Sequence, residues 1–154
     1  MKIKKLETFT KPYVSFLKTT LEDGSQGFGQ MSTYHADITA QIFHKQVAPW
    51  VLDKSWEDFN DIENLVLEKE HKFPGSYLLR AIAGLDTSLW DLKGKLLNLP
   101  VSKLLGGTYR NKIKPYATGL YFSSIENPSK NFETELINYL KKGFKAIKMK
   151  IGLG

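Results

Sequence analysis

Near its C-terminal end the chain reads GFKAIKMKIGLG, which sets two lysines, Lys148 and Lys150, two residues apart in a stretch that reads as a β-strand. Side chains two apart on a strand project from the same face. Two ammonium groups side by side in a poorly solvated pocket disfavour one another's charge, and the neutral amine favoured there can take a proton. On an open strand the same pair is a solvated face. Spacing alone does not decide between a base and a wet edge; the elements that carry the pair have to.

Two acids invite the same question. Asp86 and Asp91 lie within LLRAIAGLDTSLWDLKGKLLN, the most apolar helical stretch of the chain. They can serve as metal ligands or an acid/base pair, or each can be tied to a backbone N–H or a basic side chain at a packing seam; the second reading is the simpler. His44 and His71 fall in or beside helical patterns and read as surface residues. Gly27-Phe28-Gly29 lacks the third glycine and the following helix of a dinucleotide loop. With no cysteine in 154 residues there is no disulfide framework and no thiolate metal site, in keeping with a reducing compartment.

The net charge of +6 raises the possibility of nucleic acid, but only Arg80 and Arg110 of the 22 basic residues are arginine, and the lysines are scattered singly among acids. That is a lysine-rich solvated surface, with no nucleic-acid partner expected. The N-terminus MKIKKLETFTKPY has no apolar run of signal-peptide length behind it, and no uncharged stretch approaches the roughly 20 residues a bilayer requires. The expectation is a cytoplasmic protein with no membrane partner.

The order of elements follows from periodicity. KIKKLETFT, VSFLKTTLE and SQGFGQM alternate as three antiparallel strands, with KPY turning the chain after the first and Asp23-Gly24 after the second, a pair suited to a type I′ turn. Ile38, Ile42, Phe43 and Val47 then share a helical face that Pro49 should end. SWEDFNDIENLVLEKEH follows, with Ser55 and Asp58 in the form of a capping box and Phe59, Ile62, Leu65 and Val66 as an apolar stripe. The long apolar helix comes next and should be central; its Ala81, Ala83 and Gly84 are small where two backbones can approach. Pro100 suits the first turn of a short helix, PVSKLLGG, closed by two glycines. From Ile113 the pattern is strand (KIKPYATGLYF), turn (SSIENPSK), amphipathic helix with Phe132, Leu136 and Leu140 on one face, Gly143, and the lysine-bearing strand. This is one βαβ unit, which cannot close a sheet alone, so its edges should pair with something outside this sequence.

The motif RAIAGLDTSLWDLKGKLLNLPVSKLLGG, followed about forty residues later by GFKAIKMKIG, resembles the enolase superfamily, in particular its mandelate racemase and muconate lactonising branch. The resemblance covers the whole chain. It implies an α+β fold: a three-stranded meander and helical bundle forming a capping domain over residues 1–112, then the opening βαβ segment of a (β/α)8 barrel over 113–154. It also implies a lyase or isomerase that abstracts a proton α to a carboxylate and stabilises the enediolate with a divalent ion, usually Mg2+. The Lys-x-Lys of the family's second barrel strand matches Lys148 and Lys150. By that resemblance Lys150 is the general base, and Lys148 tunes it and helps to hold the substrate carboxylate.

The same resemblance places the three acidic metal ligands at the ends of the third, fourth and fifth barrel strands, beyond Gly154, so no metal ligand is expected in this chain. Asp86 and Asp91 match the capping domain and do not replace them. Two capping-domain loops of the family close over the substrate; they correspond here to the short turn around Lys11, Pro12 and Tyr13 and to Met31 through His35. Relatives commonly carry glutamate where this chain has Gln30. Tyr13, Gln30, Tyr34 and His35 are thus the candidate substrate-binding residues, and the polar Gln30–His35 stretch favours a sugar-acid dehydratase, with cycloisomerase or racemase activity close behind. The remaining expectations are a homo-oligomer, a small carboxylic-acid substrate, and little or no activity from this chain alone. The rival reading is a truncated, non-catalytic binding or subunit-interaction module.

Overall fold

Ser15, Leu17, Thr19 and Leu21 are buried in alternation with more exposed neighbours, as expected of a strand with one face on a core. In the computed structural model, which describes residues 1–120 and 128–150, that strand is the centre of an antiparallel sheet. Its strands are β1 (Ile3–Lys11), β2 (Val14–Leu21) and β3 (Gln26–Ser32), in the order β1-β2-β3. Register is set by pairs such as Phe9 with Phe16 and Lys18 with Phe28. The β1–β2 turn is the tight Pro12-Tyr13 connection, with Lys11 opposite Val14.

The second hairpin is real, but its turn is not type I′. Gly24 has φ 87°, whereas Asp23 is not among the residues with positive φ. Gly24 N–H donates to Leu21 O and Leu21 N–H to Ser25 O, leaving a three-residue loop that closes on a left-handed glycine. The Asp23 carboxylate takes the Ser25 N–H and hydroxyl at 3.0 and 2.9 Å. This side-chain turn holds Asp23 in ordinary backbone geometry and makes positive φ there unnecessary.

The helices follow as α1 (Ala36–Ile42), a π-helical stretch (Phe43–Val47), α2 (Ala48–Val51), a 3-10 turn (Trp56–Asp58), α3 (Phe59–Lys69), α4 (Ser76–Leu97) and α5 (Val101–Leu104). Pro49 does not end the first helical run. It sits in the first turn of α2, where its missing N–H costs nothing, and the π-helical stretch before it accommodates the ring. Phe43 and Val47 face the core as expected, while Ile38 is 41% exposed and lies off that face. Ser55 accepts the Glu57 N–H at 3.3 Å, but the 3-10 turn intervenes and α3 has no side-chain cap, so the capping box does not form at that helix. Ile62 and Val66 of the α3 stripe are buried; the Phe59 side chain lies outside the described residues.

Helix α4 is the centre of the first unit, and it lies against β3 and β2. Leu78, Ala81, Ile82, Leu85, Leu89 and Leu92 are all buried, each large one contributing about 1.5–3 kcal/mol by leaving water. The approach is close because glycine faces the helix on one side and lies within it on the other. A Cβ on Gly29 would overlap Gly84 O, one on Gly27 would overlap Ser88 O, and one on Gly84 would overlap Met31. Gly27-Phe28-Gly29 is therefore a helix-packing seam. Ala83, expected to share in it, is exposed. A buried hydroxyl pair, Thr19 to Ser88 at 2.7 Å, ties β2 to the same helix. At its far end Asn98, with φ 51°, closes α4 in a Schellman motif, Leu99 N–H bonding Gly94 O and Asn98 N–H bonding Lys95 O. Pro100 is the residue before α5 and not within it, and Gly106 and Gly107, both at positive φ, close that helix.

The chain divides into two compact units, Met1–Thr108 and Tyr109–Gly154. In the second, β4 (Ala117–Thr118) and β5 (Ile147–Lys148) run parallel, joined through α6 (Pro128–Lys141), which gives the expected βαβ order. Both strands are far shorter than the strand patterns suggested. Gly143, with φ 85°, ends α6: its N–H bonds Leu140 O, Phe144 N–H bonds Tyr139 O, and the Tyr139 and Phe144 rings meet edge to face. Glu135 accepts the Leu120 N–H at 3.1 Å, fastening the chain after β4 to α6. The expected turn in SSIENPSK falls largely outside the described residues. No described helix is long and apolar enough to cross a membrane.

Candidate functional site

The two turns at one end of the sheet are brought together by its strand order. β1 and β2 meet at Pro12-Tyr13, and β3 leaves the same end as Thr33-Tyr34-His35 before α1 begins. Between them lies an open cleft of about 600 Å³, lined by Thr10, Lys11, Pro12, Tyr13, Tyr34, His35 and Asp37. Tyr13 and Tyr34 are 74% and 67% exposed, so their rings and hydroxyls are available to a ligand. Gln30 lies in a neighbouring cleft of about 310 Å³ with Met31, Ser32, Thr33, Tyr34 and Arg80. Tyr34 lines both. Three of the four candidate binding residues thus share one cleft, and the fourth adjoins it.

The second loop is held in an unusual conformation. His35 has φ 50° and ψ 48°, the left-handed region that a side-chain-bearing residue enters only with support. Its carbonyl accepts the Thr39 N–H at 3.1 Å and the Thr39 hydroxyl at 3.2 Å, starting α1. Its ring meets Tyr77 edge to face at 6.2 Å. Arg80, on α4, donates to the Ser32 hydroxyl at 3.1 Å, and that hydroxyl donates to Tyr34 O at 2.9 Å. Tyr77 and Arg80 were not singled out from sequence as members of the site. Their one signal was position, near the start of the helix that β3 packs against.

The remaining polar candidates resolve into structure. Asp91 accepts the Phe28 N–H at 2.8 Å and Lys95 at 2.6 Å, joining β3 to α4 as the simpler reading required. Asp86 is half-buried; burial pushes its carboxyl above the usual range, and a hydrogen bond from Trp90 partly offsets this. Burial raises Glu63 too, with the Asp86 charge adding to it. His44 and His71 are exposed, the first bonded to Thr8 Oγ1 at 2.9 Å and the second to Glu68 O at 2.8 Å. Among the described residues no group of three or more histidine, aspartate or glutamate side chains is placed to hold a metal ion. The chain's described residues therefore do not fit a resident metal centre.

Lys148 lies in β5 opposite Thr118, and Lys150 follows two residues beyond the strand's end. Both are exposed in this chain. The βαβ unit places them at the C-terminal end of its second parallel strand, which is the end where barrel enzymes carry their chemistry.

Comparison with known proteins agrees with this architecture. Residues 4–106 match the family described as mandelate racemase / muconate lactonizing enzyme, N-terminal domain. A D-galactonate dehydratase of Cronobacter sakazakii is 35% identical over 118 residues, which are 76% of this chain and 31% of that protein. Among solved structures, one from Roseobacter denitrificans is 46% identical with a TM-score of 0.87, over 99% of this chain and 41% of that one. The 3,6-anhydro-D-galactonate cycloisomerase of Zobellia galactanivorans is 35% identical with a TM-score of 0.86, over 100% and 44%. A racemase of Streptomyces coelicolor with bound magnesium is 28% identical with a TM-score of 0.86, over 98% and 46%. The chain spans about a third of the length of the curated relative and less than half of each solved one. The match over residues 4–106 and the α+β fold built here mean that this chain belongs to the mandelate racemase / muconate lactonizing enzyme family.

Proposed function

We propose that the chain supplies the capping domain, residues 1–112, and the opening barrel segment, 113–154, of an enzyme that abstracts a proton α to a carboxylate. The substrate class we favour is a sugar acid, and the outcome dehydration, with cycloisomerisation or racemisation as the alternatives. The observation that carries this reading is the meeting of Tyr13, Tyr34 and His35, each with a hydrogen-bonding group, in one cleft, with Gln30 beside it, in a chain similar to a D-galactonate dehydratase. Phenol, imidazole and amide groups donate to and accept from hydroxyls, so a polyhydroxy acid finds partners there that a hydrocarbon acid does not.

In this reading Lys150 takes the α-proton and Lys148 beside it tunes that base and holds the carboxylate. Lys148 as a cation, and Lys150 once it has taken the proton, also favour the negative charge that develops on the carboxylate as the proton leaves. A divalent ion, magnesium by analogy with the Streptomyces racemase, would stabilise that charge further; no group of three or more histidine, aspartate or glutamate side chains among the described residues is placed to hold it, and the reading assigns its ligands to later barrel strands. The protein is read as cytoplasmic and homo-oligomeric.

The test is to continue residues 1–154 into a complete barrel, using the remaining strands of a D-galactonate dehydratase, and to assay a panel of aldonic acids and of carboxylic acids without hydroxyl groups for α-proton exchange, and the aldonic acids for keto-acid product. Turnover of at least one sugar acid, with Lys148→Ala both weakening substrate affinity and slowing turnover, supports the reading. Turnover confined to acids without hydroxyl groups contradicts the substrate class. The alternative, a non-catalytic interaction module, draws on Leu136, Ile137 and Leu140, which are 37%, 42% and 55% exposed on α6. It predicts a stable protein of 17.5 kDa with a partner seated on that face.

A further inference from the structure

We infer that Arg80 is the positioning residue of the Thr33–His35 loop, holding it in the conformation that presents Tyr34 and His35 to the cleft. The inference rests on the reading of that cleft as substrate-facing, but its geometry stands apart from it. One arm is a relay of hydrogen bonds: Arg80 Nη1 to Ser32 Oγ at 3.1 Å, and Ser32 Oγ to Tyr34 O at 2.9 Å. Ser32 is only 6% exposed, so its hydroxyl has little water to turn to. The other arm is a stack: the Arg80 guanidinium carbon lies 5.8 Å from the centroid of Tyr77, whose ring meets that of His35 edge to face.

Both arms end on the loop. Tyr34 is fixed through its carbonyl, and His35, the next residue, is fixed through its ring in a backbone region that disfavours side chains. Since Arg80 rises from α4, which packs along the glycine seam of β3, the loop is referenced to two elements in close backbone contact. An arginine suits the role because its planar fork donates in one direction while its face packs in another.

The experiment uses the 154-residue chain and compares wild type with Arg80→Met, Arg80→Lys and Ser32→Ala. Arg80→Met keeps the length and removes the donor; Arg80→Lys restores one N–H donor. The readouts are amide exchange at Thr39, whose acceptor is His35 O, and the NMR shift of the His35 ring beside Tyr77. The inference expects Arg80→Met to speed Thr39 exchange about five- to tenfold, the worth of one hydrogen bond, and to move the His35 ring resonance. Thermal midpoint should stay within about 2 °C. Arg80→Lys should restore most of the protection, and Ser32→Ala should reproduce the loss. Unchanged exchange and ring shift in Arg80→Met overturn the inference, as does loss of protection spread evenly through α1 and α4. Titration of wild type with galactonate keeps the two readings apart. Loop loosening without galactonate shifts at Tyr13 or Tyr34 counts against the substrate reading and leaves Arg80 in its role.

Discussion

Asp86 and Glu63 show how a carboxylate in this chain is governed by its surroundings. Both are raised above the usual carboxylate range, first by burial, so the folded state holds their protons more tightly than the unfolded chain does. The sign follows from linkage: stability falls as pH rises through the window between the unfolded and folded values, and above it the cost is fully present. Asp86→Asn keeps an acceptor for Trp90 and removes the charge that also acts on Glu63. It should raise the thermal midpoint at pH 7 by about 2 °C, a gain that shrinks as pH falls through that window and is gone below the unfolded value; a midpoint that drops at pH 7 contradicts the burial argument. Residue identity was legible where one neighbour decided the outcome. Asp91, tied to a backbone N–H and a lysine, was of this kind. Tyr77 and Arg80 were not, because their roles depend on where α4 crosses the end of β3, a distance that local sequence does not encode.

The elements themselves were largely legible, for physical reasons that differ from one to the next. The sheet was read from period-two alternation of residue types, and α4 from a long apolar helical run. What failed was local competition. Asp23 satisfied its turn with its side chain and left only Gly24 at positive φ, while Pro49 was absorbed by a π-helical stretch where a helix end was expected. Gly27 and Gly29, already read as lacking the features of a dinucleotide loop, are the surface on which α4 lies. That seam yields a sharp prediction. In Gly29→Ala the added methyl falls on Gly84 O and Ser88 N, backbone atoms that cannot swing aside. The loss should be about 3 kcal/mol, read as a shift in the urea midpoint. A change under about 0.5 kcal/mol would mean that α4 does not sit so close to the sheet.

At the scale of the whole molecule the first unit has a full core, whereas in the second Ile113, Leu136, Ile137, Leu140 and Met149 are all exposed. Among the described residues of that unit, the two short parallel strands pair with each other and one helix accompanies them, which leaves those apolar side chains and the strand edges open. The 154-residue chain should therefore self-associate, and a monodisperse monomer at high concentration in sedimentation velocity would contradict this. Lacking a described acidic ligand set, it should also bind Mg2+ no more tightly than about millimolar, and a stoichiometric micromolar site in calorimetry would contradict that. The central claim is that Lys150 becomes a base once a barrel surrounds it. The most direct measurement is exchange of the substrate α-proton with solvent deuterium, followed by NMR, in residues 1–154 continued into a complete barrel. The account predicts exchange in the unsubstituted protein and its abolition in Lys150→Ala, with fold and metal affinity unchanged. Exchange at an undiminished rate in Lys150→Ala would return Lys148 and Lys150 to a solvated strand end.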